Sequence, residues 1–258
     1  MAHRVGFNSP MVILLTSTII PGGADAHKIQ ERRRQYFEAL RFWMLHPDPR
    51  IHGIVYCDNS TPDIDWTHEL ASQLGCSKKL DSLYCPDNDI PKGMHYGYPE
   101  LGIVDYAINA SQLLRSTTYF AKVTGRLTFP AVSALLDRIP ASFDACIDYR
   151  SAYRRDRKRW SGYRARTQLM LFRTDFYIGS LHHKRSLMIQ HRISHIEEFI
   201  PGILVPGDES SRNILFRWPI ECPPSGVGGN GEDFDGGRRR VKSFLSSCSR
   251  RLVPWLWI

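Results

Sequence analysis

Apolar runs of strand length alternate along the chain with longer stretches in which apolar side chains recur every three or four positions. This is the pattern of a mainly parallel sheet covered by helices, an α/β fold. Residues 11–20 form the first strand of this reading, and residues 28–45 a helix with Tyr36, Leu40 and Trp43 on one face, stopped by His46-Pro47-Asp48-Pro49. A second strand, 51–57, ends at Asp58-Asn59-Ser60, and a helix over 66–74 is closed by Gly75. A third strand, 79–85, gives way to the polar loop 86–92. From Pro99 onward, Leu101, Val104, Ile108, Leu113 and Leu114 recur at near-helical intervals and lead into a central strand, 119–123. A short helix through Leu136 and a strand over 143–147 follow. Thereafter the pattern loosens: 154–159 is a charged surface segment, 167–172 a strand or the start of a buried helix, and 191–199 helical. Residues 223–237 are too rich in glycine and proline for a packed element.

The central strand runs into Thr124-Gly125-Arg126-Leu127. Ligands of α/β sheets collect at the carboxyl ends of central strands, which places Lys122 and Arg126 for an anion. A guanidinium grips phosphate oxygens through two parallel bonds, and Gly125 admits a diphosphate close to the backbone. The same residues also suit an ordinary strand end with solvated charges.

Charge changes the picture at one place. The formal net charge is +8, but Arg238, Arg239, Arg240, Lys242, Arg250 and Arg251 lie in 236–258 with no acid, leaving +2 for the rest. That distribution argues against a nucleic-acid-binding core and points to a local contact with an anionic surface. Val241, Phe244, Leu245, Cys248 and Leu252 share helical spacing, and Trp255, Leu256, Trp257 and Ile258 follow. The expected organisation is a domain over 1–222, a glycine-rich loop over 223–237 and a basic amphipathic membrane-associating segment over 238–258. The expected location is cytoplasmic, peripheral on the inner face of the membrane; the alternative is a helix packed on the domain or on a partner subunit.

Length (258 residues) and 42% hydrophobic content suit one substantial core. No segment reaches the roughly 18 apolar residues of a membrane span. Cys57, Cys76, Cys85, Cys146, Cys222 and Cys248 are scattered without a CxxC or a metal-type spacing, and a reduced intracellular protein is the simpler inference. The even count equally serves three disulfides in a secreted protein processed after Ala26, since His3 and Arg4 precede the apolar run and Ala24-Asp25-Ala26 has small-residue character. Thr16, Ser17 and Thr18 interrupt that run and Pro21-Gly22-Gly23 ends it ahead of a helical pattern, which favours a strand.

Short pieces fall in order along nearly the whole chain: Thr16-Ser17-Thr18-Ile19, Val55-Tyr56-Cys57-Asp58-Asn59-Ser60, the stretch Lys92-Gly93-Met94-His95-Tyr96-Gly97-Tyr98-Pro99-Glu100, Lys122-Val123-Thr124-Gly125-Arg126-Leu127, Asp148-Tyr149-Arg150-Ser151, Thr167-Gln168-Leu169 with Phe172, Ile196-Glu197, and Ser225-Gly226-Val227-Gly228-Gly229. In these the chain resembles bacterial capsule and lipopolysaccharide biosynthesis proteins of the WavE-like kind. The resemblance implies a GT-A type fold and a glycosyltransferase that moves a sugar from a nucleotide-sugar donor to a lipid-linked or growing surface glycan. Where relatives are expected to carry Tyr-Gly-Glu-Gly, this chain has Tyr96-Gly97-Tyr98-Pro99-Glu100, which shifts or replaces that glutamate.

Such a transfer needs a base-and-ribose site, charge compensation for the departing diphosphate, and an acid-base group for the acceptor hydroxyl. Asp58 is the ribose or base candidate, with turn capping as its other reading. Many GT-A enzymes hold a divalent ion with Asp-x-Asp after the central strand. Thr124-Gly125-Arg126 occupies that place here, so Lys92, Lys122 and Arg126 are expected to supply the charge without a required metal or other cofactor. Tyr96, Gly125 and Arg150 complete the donor set. Asp148 and Glu197 are the candidate catalytic carboxylates, and Ser225, Gly226, Gly228 and Gly229 a candidate lid or acceptor loop. A GT-A-like binding module without turnover is the alternative from a second class. No Walker loop, dinucleotide fingerprint or Gly-x-Ser-x-Gly elbow is present.

Overall fold

The computed structural model of the chain describes residues 6–154, 159–204, 213–228 and 231–252. In chain order the elements are β1 (Met11–Ser17), α1 (Ala26–Leu45), β2 (Ile51–Asp58), α2 (Trp66–Gln73), β3 (Lys79–Tyr84), α3 (Gly97–Ala110), α4 (Gln112–Ser116), β4 (Tyr119–Thr124), β5 (Leu127–Thr128), α5 (Val132–Leu136), β6 (Ala145–Arg154), β7 (Arg159–Arg173), α6 (Thr174–Ser180), α7 (Ser186–Gln190), α8 (Ile196–Leu204), β8 (Ile214–Leu215), β9 (Ser225–Gly226) and α9 (Gly237–Leu252).

Seven strands make one sheet in the order β3-β2-β1-β4-β7-β6-β8. The pairs β1·β2, β1·β4, β2·β3 and β6·β8 are parallel, and β7 runs antiparallel to both β4 and β6. The fold is therefore α/β with a mainly parallel sheet. Side chains alternate between two apolar layers. One face packs on α1 and α2 through Ile13, Leu15, Ala121 and Val123, and the other on α3 and α8 through Val12, Leu14 and Phe120. Fully burying each such side chain contributes about 1.5–3 kcal/mol, which explains why β1, buried at all seven positions, reads as a continuous apolar run.

Local chemistry sets the element ends. Asp25 caps α1 by accepting from Lys28 N at 2.8 Å, and the helix stops at His46 before Pro47. The first strand ends at Ser17 rather than Ile20, because residues 18–20 leave the sheet to bond elsewhere. Thr18 N donates to the Tyr36 hydroxyl (2.9 Å), Ile19 N to Asp58 (3.0 Å) and Ile20 N to Ser60 (2.8 Å). The helical stretch before the central strand is split at Ser111, whose extended backbone ends α3 and whose Oγ caps α4 through Leu114 N at 3.1 Å. Residues 167–172 belong to a strand, β7, far longer than the apolar run. Helix α8 starts only at Ile196, after a loop in which Arg192 has φ 54°. Within 223–237, β9 pairs with β5, so that stretch does contribute a packed element.

Candidate functional site

Chain order passes from β1 outward through β2 and β3, then returns across β1 to β4 on its other side. Such a reversal opens a crevice beyond the carboxyl ends of the two strands. Thr16 near the end of β1 and Thr124 at the end of β4 both donate to Glu100 Oε1 at 2.9 Å, so the first turn of α3 sits over the crevice. Lys122 Nζ lies 2.5 Å from the same oxygen and donates to the Thr167 carbonyl at 2.8 Å. The Lys122 side chain is 0% exposed. Its ammonium is thus committed to an ion pair on the α3 face and does not face an incoming diphosphate, contrary to the expectation from sequence. Glu100 Oε2 has no hydrogen bond to a described residue, and the side chain keeps 18% exposure. Three donors fix one oxygen and leave the other without a bond among the described residues.

Arg126 turns to the opposite face, against α1. It is 6% exposed, with Nη1 donating to Gln35 Oε1 (2.9 Å), Nη2 to the Gly228 carbonyl (2.8 Å), and Nε buried without a partner. Burial holds its pKa below the ordinary value; nearby Arg32 acts in the same direction, and Tyr36 opposes both. Arg32 donates through Nε (3.0 Å) and Nη2 (2.5 Å) to the Thr18 carbonyl. The two guanidinium carbons stand 5.8 and 5.9 Å from the centroid of the Tyr36 ring. Neither arginine has a carboxylate partner among the described residues. Two cations crowded around one phenol, with only carbonyl, amide and phenol oxygens for partners among the described residues, form a site short of negative charge. Sequence reasoning missed Arg32. Its signal was the helical phase that places it four residues before Tyr36, while Arg33 and Arg34 of the same run pair with Asp63 and Glu31.

Gly125 serves the strand ends rather than a ligand. Its N donates to the Thr16 carbonyl at 2.8 Å, and a Cβ there would lie 2.6 Å from that oxygen and 3.2 Å from the Tyr36 ring. Over Arg126 lies the glycine-rich segment, with Ser225 paired to Thr128 and Gly226 at φ 108°, a conformation that favours glycine. Gly229 falls outside the described residues.

Asp58 is wholly buried and saturated. Its Oδ2 accepts from Ser17 Oγ (2.5 Å) and Ile19 N (3.0 Å), and its Oδ1 from Ser60 N (2.7 Å), Ser60 Oγ (2.7 Å) and Thr61 N (2.9 Å). With about four acceptor positions on a carboxylate, nothing is left for a ribose. Asp58 shapes the loops after β1 and β2, the turn-capping reading. Lys92 is exposed on the loop between β3 and α3, and Tyr96 is exposed immediately before α3. His95 stacks near His195, ring centroids 4.7 Å apart, which brings the starts of α3 and α8 together. Glu197 is half-buried, with Oε2 buried and without a hydrogen-bond partner.

Asp148 and Arg150 belong to a second cluster of charges. Asp148 is 0% exposed and accepts from Arg150 Nε (2.9 Å), Arg250 Nη2 (2.7 Å to each oxygen) and Trp218 N (3.3 Å). Glu221 joins the cluster through Arg150 (2.7 Å), Arg166 (2.9 Å) and Arg250 (2.9 Å). Burial opposes ionisation of Glu221, yet Arg166, Arg150 and Arg250 together hold its carboxyl below the ordinary value. Asp148 has no lone pair for an acceptor hydroxyl and Arg150 no free edge for a diphosphate. Both belong to a buried ion network that carries α9, whose Ser246 also accepts from Arg150 at 2.6 Å. All six cysteines are free thiols.

The resemblance implies a divalent ion in many GT-A relatives, but the donor set after β4 does not fit one. A guanidinium cannot ligate a cation, Gly125 has no side chain, and Thr124 is already engaged with Glu100. Among the described residues no three His, Cys, Asp or Glu side chains converge as metal ligands.

No protein-family model and no curated protein matches the chain. Solved structures do. An active-site mutant of LgtC is 11% identical, covers 80% of this chain and 72% of its own, and superposes with a TM-score of 0.50. A glycosyltransferase involved in glycosylation of the major capsid of PBCV-1 gives 11% identity, coverage of 81% and 82%, and a TM-score of 0.45. The 4-diphosphocytidyl-2C-methyl-D-erythritol synthase from Anaerococcus prevotii DSM 20548 gives 8%, coverage of 92% and 95%, and 0.45. At these identities it is the fold that is shared. The sheet, its switch point and the LgtC superposition define a GT-A type fold, the fold of nucleotide-diphospho-sugar transferases.

Proposed function

We propose that the protein is a nucleotide-sugar-dependent glycosyltransferase acting on a lipid-linked or growing surface glycan of the capsule or lipopolysaccharide type, at the inner face of the membrane. The observation that carries this reading is the Arg32–Arg126 pair around Tyr36 beside the switch point, two cations without a carboxylate. An electron-rich diphosphate is the ligand such a site lacks. In the transfer, an acceptor hydroxyl oxygen bonds to the anomeric carbon while the bond from that carbon to the diphosphate oxygen breaks, and the nucleoside diphosphate leaves with the electron pair. Fixed guanidinium groups in a water-poor site stabilise that developing charge. Glu100 Oε2 accepts from a sugar hydroxyl. Glu197, whose buried oxygen has no partner among the described residues, takes the acceptor proton. Lys122 and its two threonine neighbours keep Glu100 in place.

The test is turnover. A panel of nucleotide sugars incubated with membrane lipid extract as acceptor should release nucleoside diphosphate, and Glu197→Gln should cut release while leaving donor binding intact. Donor that binds without any release, across the panel and with every acceptor, would leave a GT-A-like binding module instead. No binding of any nucleotide sugar removes both readings.

A further inference from the structure

Helix α9 is turned the unexpected way round. An amphipathic helix on a globular domain normally faces its apolar stripe to the core. In α9 it is the polar side that faces the domain. Arg250 makes four hydrogen bonds there, to Glu221 (2.9 Å), the Trp218 carbonyl (2.6 Å) and both oxygens of Asp148 (2.7 Å each), and Ser246 is buried beside it. Val241, Phe244, Leu245 and Leu252, at helical intervals of three, four and seven, project into solvent, Phe244 at 68% and Leu252 at 76% exposure. The helix cannot roll this stripe inward without taking Arg250, one charge partner of each, away from two buried carboxylates.

We propose that the outward face of α9 is a docking surface for an anionic lipid bilayer, held rigidly on the sheet domain by the Arg250 clamp. Charge decides the occupant. Gly237–Leu252 contains Arg238, Arg239, Arg240, Lys242 and Arg251 besides Arg250, and no acid. A second copy of this chain would bring the same cations against themselves, whereas anionic headgroups neutralise them and the acyl region takes the apolar ridge. The device differs from a free tail. Arg250 ties α9 to β6, which runs parallel to β4 with only β7 between them, so the ridge and the crevice belong to one scaffold. No helix among the described residues is long and apolar enough to cross a membrane, and contact through one face of α9 requires none. This surface rests on the membrane location in the proposed function and deepens it, while the donor site and the bilayer surface can each fail without the other.

Full-length protein should sediment with phosphatidylglycerol-containing vesicles and not with pure phosphatidylcholine vesicles, with binding that weakens as salt rises. The double change Phe244→Ser and Leu245→Ser touches only exposed side chains; it should weaken binding by about tenfold or more, since each side chain loses its burial in the bilayer. Arg238→Glu with Lys242→Glu should weaken it by a similar factor through charge alone. UDP binding by these variants should equal that of the parent protein. Equal affinity for both vesicle types, no vesicle binding at all, or binding untouched by both double variants would overturn the proposal. So would a concentration-dependent dimer, seen by light scattering, that the serine variant abolishes.

Discussion

Replacing Arg126 by Gln separates ligand binding from folding at a single side chain. In the free protein the guanidinium is buried with one amide oxygen and one carbonyl for company, and Nε satisfies nothing. Removing it loses two charge-assisted bonds, each worth about 1.5–3 kcal/mol, but also removes the cost of keeping a cation out of water beside Arg32, a cost of several kcal/mol. The two terms are of the same size and opposite sign. Stability should therefore change by no more than about 1 kcal/mol, a shift of roughly 2–4 °C in Tm for a domain of this size. Ligand binding has no such compensation. A diphosphate loses two charge-assisted bonds, about 3 kcal/mol at the low end, which weakens affinity by roughly 100-fold. Calorimetry with UDP and GDP together with thermal unfolding, with and without nucleotide, reads both quantities. A variant that unfolds many degrees lower while binding nucleotide as well as its parent would refute the reasoning, because Arg126 would then be an ordinary structural residue.

Three further outcomes follow from the geometry. Glu100→Gln should leave UDP affinity within about twofold while nucleotide-sugar affinity falls by about tenfold, the worth of one charged hydrogen bond to a sugar hydroxyl, as measured by paired titrations. Arg250→Ala should lower stability by about 3–5 kcal/mol by leaving Asp148 and Glu221 short of charge, read by denaturant unfolding. Acid should weaken the same attachment. The folded Glu221 carboxyl lies below its ordinary value of 4.5, so its contribution is complete above pH 4.5, where the unfolded chain is also ionised, and is lost as pH falls through the lowered folded value. Tm should drop below pH 4.5, and the drop should be smaller in Arg250→Ala.

The parallel half of the sheet was legible because its strands are buried on both faces and read as unbroken apolar runs. That holds for 11–17, 51–57 and 119–123, each flanked by a helix of clear period. The second half was harder to read for a physical reason. Strand β6 continues beyond Ile147 through Asp148 and Arg150, and its partner β7 carries Arg164 and Arg166 ahead of the apolar run. Charged side chains on alternate positions look like an exposed edge in sequence; Asp148, Arg150 and Arg166 join a buried network here because Glu221 and Arg250, distant along the chain, supply partners, whereas Arg164 stays exposed beside Glu198. The same cause misdirected the choice of Asp148 as a base. Its neighbour Arg150 was visible at two residues' distance, but Arg250, more than a hundred residues away, was not. Face alternation misled at Lys122 as well. A position two residues before the turn shares a strand end with Arg126 in sequence, yet the strand points it to the α3 layer while the turn sends Arg126 to the α1 layer.

Partner chemistry then sorts the buried charges into two kinds. Arg150, Arg166 and Arg250 face carboxylates, Arg50 faces Asp48, and Lys122 faces Glu100; each is neutralised inside the protein and serves the fold. Among the described residues, buried Arg126 and half-buried Arg32 face only neutral oxygens, and Glu100 and Glu197 each keep one oxygen without a bond. A folding domain gains nothing from leaving those valences open, since a buried cation without an anion and a carboxylate oxygen without a donor both oppose stability. Their retention is intelligible when the missing partners arrive from outside, as the oxygens of a diphosphate and the hydroxyls of a sugar. Under the proposed function, the electrostatic deficit near β4 sets the charge of the ligand. It predicts that nucleotides should raise Tm in the order diphosphate above monophosphate above nucleoside, each phosphate adding stabilisation through its differential affinity. An unphosphorylated nucleoside that stabilised the protein as well as UDP would place the binding energy on the base and leave the arginine pair without a function.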